Sequence, residues 1–349
     1  MATKRRILVV SYGGTIVMVV DPERKVVKAA EKIDDIMRLL PDLKEIAEVD
    51  FTVLANKDST NVGPGDWSSI AKHLVSVVDQ YDGFVITHGT NTMAYTASAL
   101  TLALGSGFNK PIVITGSQLP LSVFGNDARF NFENAVKTAV VAAEQQIAEV
   151  MIVFSDLVLR GGRALKVSES SFRAFQSPAF SEIGSITSTG VHFRPGARRA
   201  EWSHKIELRP EFDPHILNID LIPGQLPEFY ESIVLSSNCR GVILRSHGAG
   251  SVPTEGAFSF LPLIRKVVKE NHKPLIVSTK FVGGNSFKEL NDECAVLALE
   301  AGAIPSSDMT DVMTEVKLMW LLAQGCTNPD DVRRRLLTDE NGEVTEIPF

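Results

Sequence analysis

Short apolar runs of Val, Ile, Leu and Phe recur along the chain at residues 7–11, 51–55, 83–87, 111–115, 150–154, 217–221, 241–245 and 274–279. Most do not alternate apolar with polar, the pattern of strands covered on both faces. Between them lie longer stretches with apolar positions at helical spacing: 67–78, 91–104, 131–144, 257–270, 286–301, 311–323 and 329–337. Strand–helix alternation of this kind predicts an α/β fold with a doubly wound, mainly parallel sheet.

The alternation breaks between about residues 187 and 213, where Arg194, Pro195, Gly196, Arg198 and Arg199 crowd together and apolar periodicity fades. An irregular connection is expected there. It separates a larger N-terminal α/β domain (1–195) from a smaller C-terminal one (215–349), with 196–214 as linker. A chain of 349 residues, 44% of them hydrophobic, is long enough for two such cores.

A net charge of −7, with only short basic runs at 4–6 and 333–335, argues against a nucleic-acid partner, whose phosphates call for clustered Lys and Arg. Cys239, Cys294 and Cys326 are widely spaced and form no CxxC pair. That fits a reducing, cytoplasmic setting and offers neither a disulfide framework nor a zinc site. Residues 4–10 imitate the start of a secretory signal. However, the polar turn at 11–15 cuts the apolar run and no small-x-small cleavage site follows, so a buried first strand is expected. No apolar run approaches the roughly 20 residues of a membrane-spanning helix.

In open α/β sheets, ligands collect beyond the carboxyl ends of the strands. The polar residues found there are Gly13-Gly14-Thr15, Asp58-Ser59-Thr60-Asn61, His88-Gly89-Thr90-Asn91-Thr92 and Gly116-Ser117-Gln118, after the first four strands in turn. One such cluster would be ordinary turn and cap chemistry. Four at one edge, with few charges among them, point to a site for a small polar ligand. The G-x-S-x-G elbow, the H-E-x-x-H zinc motif, the P-loop and the Rossmann fingerprint are all missing. A hydroxyl nucleophile here would need a lysine of lowered pKa or an acid-supported threonine as its base.

Several segments resemble the bacterial-type L-asparaginases, above all the cytoplasmic type I branch. Tyr12-Gly13-Gly14-Thr15-Ile16 resembles their T-G-G-T-I signature, and the segment from His88 to Leu100 resembles H-G-T-D-T-M-A-Y-T-A-S-A-L. Thr115-Gly116-Ser117-Gln118-Leu119-Pro120, Arg163-Ala164-Leu165-Lys166 and Leu244-Arg245-Ser246-His247-Gly248 follow in the family's order. The resemblance implies two α/β domains, the larger flavodoxin-like, assembled as homodimers or homotetramers with active sites at a contact between subunits. It also implies a small-molecule amide substrate and neither metal nor cofactor. By the same resemblance Thr15 is the acyl-attacking nucleophile, Thr90 the second catalytic hydroxyl and Lys166 the amine that polarises it. Ser59 stands where the substrate α-carboxylate is held, and Thr60, Gly89, Asn91 and Gln118 count among the substrate-binding residues. Asp58 is a further candidate at the site edge. The physical logic is coherent, because an amide carbonyl needs a nucleophile, a proton relay and donors for the developing oxyanion.

The sequence departs from that family in four places. Asn91 replaces an aspartate that usually binds the substrate α-ammonium, and Asn61 stands where aspartate is common. Residues 19–27 lack the loop tyrosine that usually pairs with the nucleophile, and Tyr12 replaces a threonine. Losing a buried countercharge to an ammonium costs roughly 10²-fold in rate or affinity. Three readings stay open: a working asparaginase with altered details, a hydrolase of a related amide or lactam without a free α-ammonium, and a non-catalytic relative. A Tyr12 hydroxyl standing in for the absent loop tyrosine is set against a simply packed aromatic.

Overall fold

The computed structural model describes residues 4–20, 27–29, 40, 42–283, 285–286 and 292–345. Contacts divide the chain into two compact units, Met1–Pro210 and Glu211–Phe349.

The first unit is built on an eight-stranded sheet whose strands, in chain order, are β1 (Arg6–Gly13), β2 (Glu48–Lys57), β3 (Gly83–Thr87), β4 (Ile112–Thr115), β5 (Val150–Phe154), β6 (Leu157–Arg160), β7 (Gly184–Thr187) and β8 (Gly190–Phe193). Their spatial order is β8-β7-β6-β5-β4-β3-β1-β2. β2, β1, β3, β4 and β5 run parallel, and β6, β7 and β8 are added antiparallel. The parallel part follows the order 2-1-3-4-5 of flavodoxin-like sheets. Its central strands are apolar on both faces because helices cover both. Ile7, Val9, Val85, Val113 and Met151 pack against Phe132, Ala135 and Val136 of the helix Ala128–Glu144.

Local chemistry sets the helix starts. Pro64 opens the helix Pro64–Val77, and Asp66, three residues past Gly63, accepts the Gly63 N–H at 2.9 Å. In the second unit Thr310 Oγ1 accepts the Met313 N–H at 3.0 Å, starting the helix Asp311–Ala323. Among the described residues, no helix is long and apolar enough to cross a membrane.

The expected break at 187 starts too early. Residues 184–193 form the β7–β8 hairpin at the sheet edge, and the irregular stretch begins after Phe193. Its anchor is a buried pair, Arg160 Nε to Glu149 Oε2 at 2.8 Å, whose guanidinium also donates to the Gly196 carbonyl at 2.8 Å. Glu201 N then donates to Asn109 Oδ1 at 2.8 Å and Ala200 N to the Gln146 carbonyl at 2.8 Å. The expected helix over 257–270 is also interrupted: a 3-10 turn (Gly256–Phe258) precedes an α segment (Leu261–Arg265) that widens into a π-turn (Lys266–Glu270). Part of the expected start of the next helix lies outside the described residues, and the helix itself spans Glu293–Ala301.

The second unit holds a four-stranded parallel sheet in sequential order: β9 (Ile216–Asp220), β10 (Gly241–Ser246), β11 (Leu275–Thr279) and β12 (Ile304–Pro305). Its last turn is fastened by a fully buried ion pair, Lys317 Nζ to Glu343 Oε1 at 2.5 Å. Lys317 also donates to the Thr338 carbonyl at 2.7 Å. The backbone N–H groups of Glu340 and Asn341 donate to the Glu343 carboxylate at 3.0 and 2.7 Å. Burial opposes ionisation of Glu343, but the Lys317 charge and these donors prevail and bring its pKa down to about 2. The folded pKa therefore lies below the unfolded one. The stabilisation is complete above the ordinary carboxylate range and drains away as pH falls toward 2. Glu343→Gln, which leaves Lys317 buried without a counter-ion, is expected to cost about 3–5 kcal/mol near neutral pH. Urea titrations across pH should show the gap between wild type and variant closing as the medium is acidified.

Candidate active site

Strand order reverses between β1 and β3, and in such sheets the crevice beyond the carboxyl ends at the reversal is where ligands bind. β1 delivers Gly13-Gly14-Thr15 there, and its register against β2 slips between Ser11 and Gly13, re-aiming the end of the strand. β2 delivers the 3-10 turn Ser59–Asn61, β3 delivers His88–Thr92 and β4 delivers Gly116-Ser117-Gln118.

Glycines let these loops touch. A Cβ on Gly14 would sit 2.6 Å from the His88 carbonyl carbon and 2.7 Å from the Gly89 nitrogen, and Gly14 has φ +87°. A Cβ on Gly89 would lie 2.6 Å from Ser59 Oγ. At Gly14 backbone thus meets backbone, and at Gly89 backbone meets the Ser59 side chain, where no L side group could stand. Thr15, directly after Gly14, opens a short 3-10 turn (Thr15–Val17) and is half-buried. Among the described residues its hydroxyl has no hydrogen-bond partner.

Lys166 arrives from far along the sequence, on a two-residue strand (Leu165–Lys166) paired antiparallel with Phe175–Gln176. Its Nζ lies 2.9 Å from Thr90 Oγ1 and 2.9 Å from Asn91 Oδ1. Asn91 Nδ2 donates to Thr60 Oγ1 at a long 3.4 Å, and Thr92 Oγ1 donates to the Ser59 carbonyl at 2.6 Å. Thr90, Asn91, Lys166 and Thr60 therefore form one hydrogen-bonded set, with Ser59 buried beside it. Burial pushes the Lys166 pKa below the ordinary lysine value, with Glu169 opposing it. Among the described residues Lys166 makes no ion pair.

Other candidates are drawn elsewhere. Tyr12 is buried, its ring stacks on His88 with centroids 6.4 Å apart, and its hydroxyl donates to Asp66 Oδ1 at 2.6 Å. Asp66 thus occupies the phenol, which favours the packed aromatic over a stand-in for the loop tyrosine. Residues 21–26, in the segment where that loop tyrosine is missing, lie outside the described residues. Asp58 caps its own turn, accepting the Thr60 N–H at 2.9 Å, which lowers its pKa. The Gln118 side chain donates to the Ser171 carbonyl at 3.0 Å. His88 lies between the Gly89 carbonyl at Nδ1 (2.7 Å) and Thr96 Oγ1 at Nε2 (2.9 Å). A carbonyl only accepts, so Nδ1 carries the proton and Nε2 accepts from Thr96. Burial pushes the pKa of this ring below the usual imidazole value.

Of two supporting carboxylates, Asp66 escapes a reading of the sequence and Asp127 reads there only as a structural acid at a helix start. Asp66 gathers the Tyr12 hydroxyl, the Gly63 N–H and Lys57 Nζ (2.5 Å), tying β1 to the loop that carries Ser59. Asp127 accepts the N–H groups of Gln118 (2.9 Å) and Leu119 (3.0 Å) and fixes the fourth loop. An acid near a helix start is the only sequence signal for either, and it does not say which backbone the acid will reach. Among the described residues, no three His, Cys, Asp or Glu side chains gather as a metal site.

The family described as Asparaginase, N-terminal matches residues 6–199, and that described as Glutaminase/Asparaginase C-terminal domain matches 215–336. The chain belongs to the asparaginase family. It is 33% identical over 342 residues to the L-asparaginase of Thermococcus kodakarensis, covering 97% of this chain and 99% of that one. The solved structure of that thermostable enzyme superposes with a TM-score of 0.87 at 32% identity, over 97% of this chain and 99% of that chain. L-asparaginase 1 of Escherichia coli K12 is 31% identical over 350 residues, 98% of each chain. The structure of a probable cytoplasmic L-asparaginase from Campylobacter jejuni matches with a TM-score of 0.78 at 25% identity, over 96% of this chain and 100% of that chain.

In this asparaginase-family site the Gly14 contact is testable by stability alone. Gly14→Ala meets both positive φ and a backbone clash and is expected to cost about 1–3 kcal/mol. Gly65→Ala, on the first turn of a helix with nothing within 4 Å of its Cβ, should be neutral or slightly stabilising. Urea midpoints of the two variants provide the comparison.

Proposed function

We propose that this protein is an amidohydrolase that converts the side-chain amide of asparagine to a carboxylate and ammonia, with Thr15 as nucleophile. The observation that carries the reading is Lys166 Nζ at 2.9 Å from Thr90 Oγ1, beside the loop against which Gly14 wedges Thr15. The names of the relatives support the same substrate.

As free amine, Lys166 accepts the Thr90 proton, and Thr90 Oγ1 draws the proton of the attacking hydroxyl, directly or through one water. Thr15 Oγ1 then bonds to the amide carbon, while the oxyanion meets backbone N–H groups of the Gly89-Thr90 turn. The relayed proton passes to the amide nitrogen, the C–N bond breaks and ammonia leaves an ester on Thr15. Water, activated by the same relay, cleaves that ester and restores the hydroxyl. Ser59 and Thr60 hold the substrate α-substituents, and Gln118 closes the pocket wall.

The reading extends to a cytoplasmic homodimer or homotetramer. In support, Phe124, Phe172, Val123 and Val167 are exposed in the segments that carry Gln118 and Lys166, where an assembled enzyme would cover them. Sedimentation should give a species of at least twice the 38.0 kDa protomer mass.

Thr15→Ala is expected to lower kcat by about 10³-fold or more with an unchanged melting curve. The relay needs Lys166 unprotonated, so kcat/KM should rise with pH along a limb below the ordinary lysine value of about 10.4. Asn91→Asp places an anion beside the ammonium, favours the charged form and should move that limb to higher pH. A limb that stays put in the variant would exclude Lys166 as the titrating base.

A further inference from the structure

Asn91 has a fixed polarity. Lys166 brings N–H donors to it at 2.9 Å, so the atom facing the lysine is the amide oxygen. That assignment holds in both protonation states. The free amine uses its single lone pair on Thr90 and still has N–H groups for Asn91. Rotating the amide would set donor against donor.

The other end of Asn91 is therefore its NH2 group, and it faces the Ser59–Thr60 turn. One N–H reaches Thr60 Oγ1 at 3.4 Å, and among the described residues the second has no partner. Asn91 is exposed, so this N–H opens toward the pocket rather than into the core. An ammonium, which only donates, finds a donor there. The nearby charge points the same way. Lys166 lies between two neutral groups, Asp58 Oδ1 is engaged by the Thr60 N–H, and Asp58 and Glu169 are both solvent-exposed.

We infer that position 91 selects a hydrogen-bond acceptor on the substrate α-carbon, so that side-chain amides of 2-hydroxy and 2-acylamino acids are cleaved at least as efficiently as asparagine. The inference rests on the amidohydrolase reading and specifies its substrate class. A hydroxyl or acyl oxygen takes the free Asn91 N–H, while Ser59 and its turn hold the carboxylate common to all these compounds. The bond broken is the same terminal amide C–N bond, with ammonia leaving and water entering as before.

The test measures ammonia release by the full-length wild type from asparagine, 2-hydroxysuccinamate and succinamate, beside Asn91→Asp. In the wild type, kcat/KM for 2-hydroxysuccinamate should equal or exceed that for asparagine, with succinamate below the hydroxy compound. Asn91→Asp, which turns the donor into a charged acceptor, should swing the hydroxy-to-amino ratio toward asparagine by about 10- to 100-fold. A wild type preferring asparagine by about tenfold or more overturns the inference and leaves the amidohydrolase reading standing, and so does a ratio that Asn91→Asp fails to move. Ammonia from none of the three would overturn the amidohydrolase reading itself. The wild-type ratio decides even if the variant does not fold.

Discussion

The candidate site depends on one contact between backbones. The peptide after β1 lies against the peptide after β3 so closely that only hydrogen fits on the Gly14 α-carbon. Everything that has to converge then does so over short distances: Thr15 follows Gly14 directly, and Thr90 and Asn91 follow Gly89. The contact is braced from below. His88 is clamped at both ring nitrogens, Tyr12 stacks on it, and Asp66 ties Tyr12 to the turn before the helix Pro64–Val77. Two of the loops thus share a foundation of buried hydrogen bonds, each costly to leave unmade.

Onto that foundation the fold brings a lysine without a carboxylate. With a carboxylate at position 91, Lys166 would be held as an ammonium and the pocket would be shaped to accept a cation. With Asn91 the geometry is kept and the charge removed, so the amine loses its proton more readily and the far side of residue 91 becomes a donor. In the proposed mechanism a single exchange of oxygen for nitrogen thus acts on the proton relay and on the substrate contact together.

The parallel core was legible because β1, β3, β4 and β5 are buried on both faces and their apolar runs are continuous, while β2 at the sheet edge is half-exposed. The ends of those runs gave Thr15, Ser59, Thr90 and Gln118 as neighbours, since strand direction alone fixes which edge they share. The antiparallel edge was not legible. β6 to β8 are four residues each, and β7 and β8 begin with Gly184 and Gly190, so their pairing is set by tertiary contacts such as Arg160 with Glu149. Lys166 came only from family resemblance. It sits 76 residues from Thr90 on a two-residue strand, and no local pattern distinguishes it from other lysines. Asp66 and Asp127 look like ordinary helix-start acids until their backbone partners are seen.

Two lysines show how environment divides roles. Lys317 is wholly enclosed with Glu343, whose carboxyl ionises near pH 2, so the pair stays charged and its work is to pin the last turn of the second unit. Lys166 is half-buried beside a hydroxyl and an amide, groups that accept its hydrogen bonds and supply no countercharge. Neutralising Lys317 would strand a buried carboxylate, whereas neutralising Lys166 strands nothing and leaves a base against Thr90. The missing carboxylate at position 91 is therefore consistent with chemistry: it removes the one partner that would have made Lys166 structural.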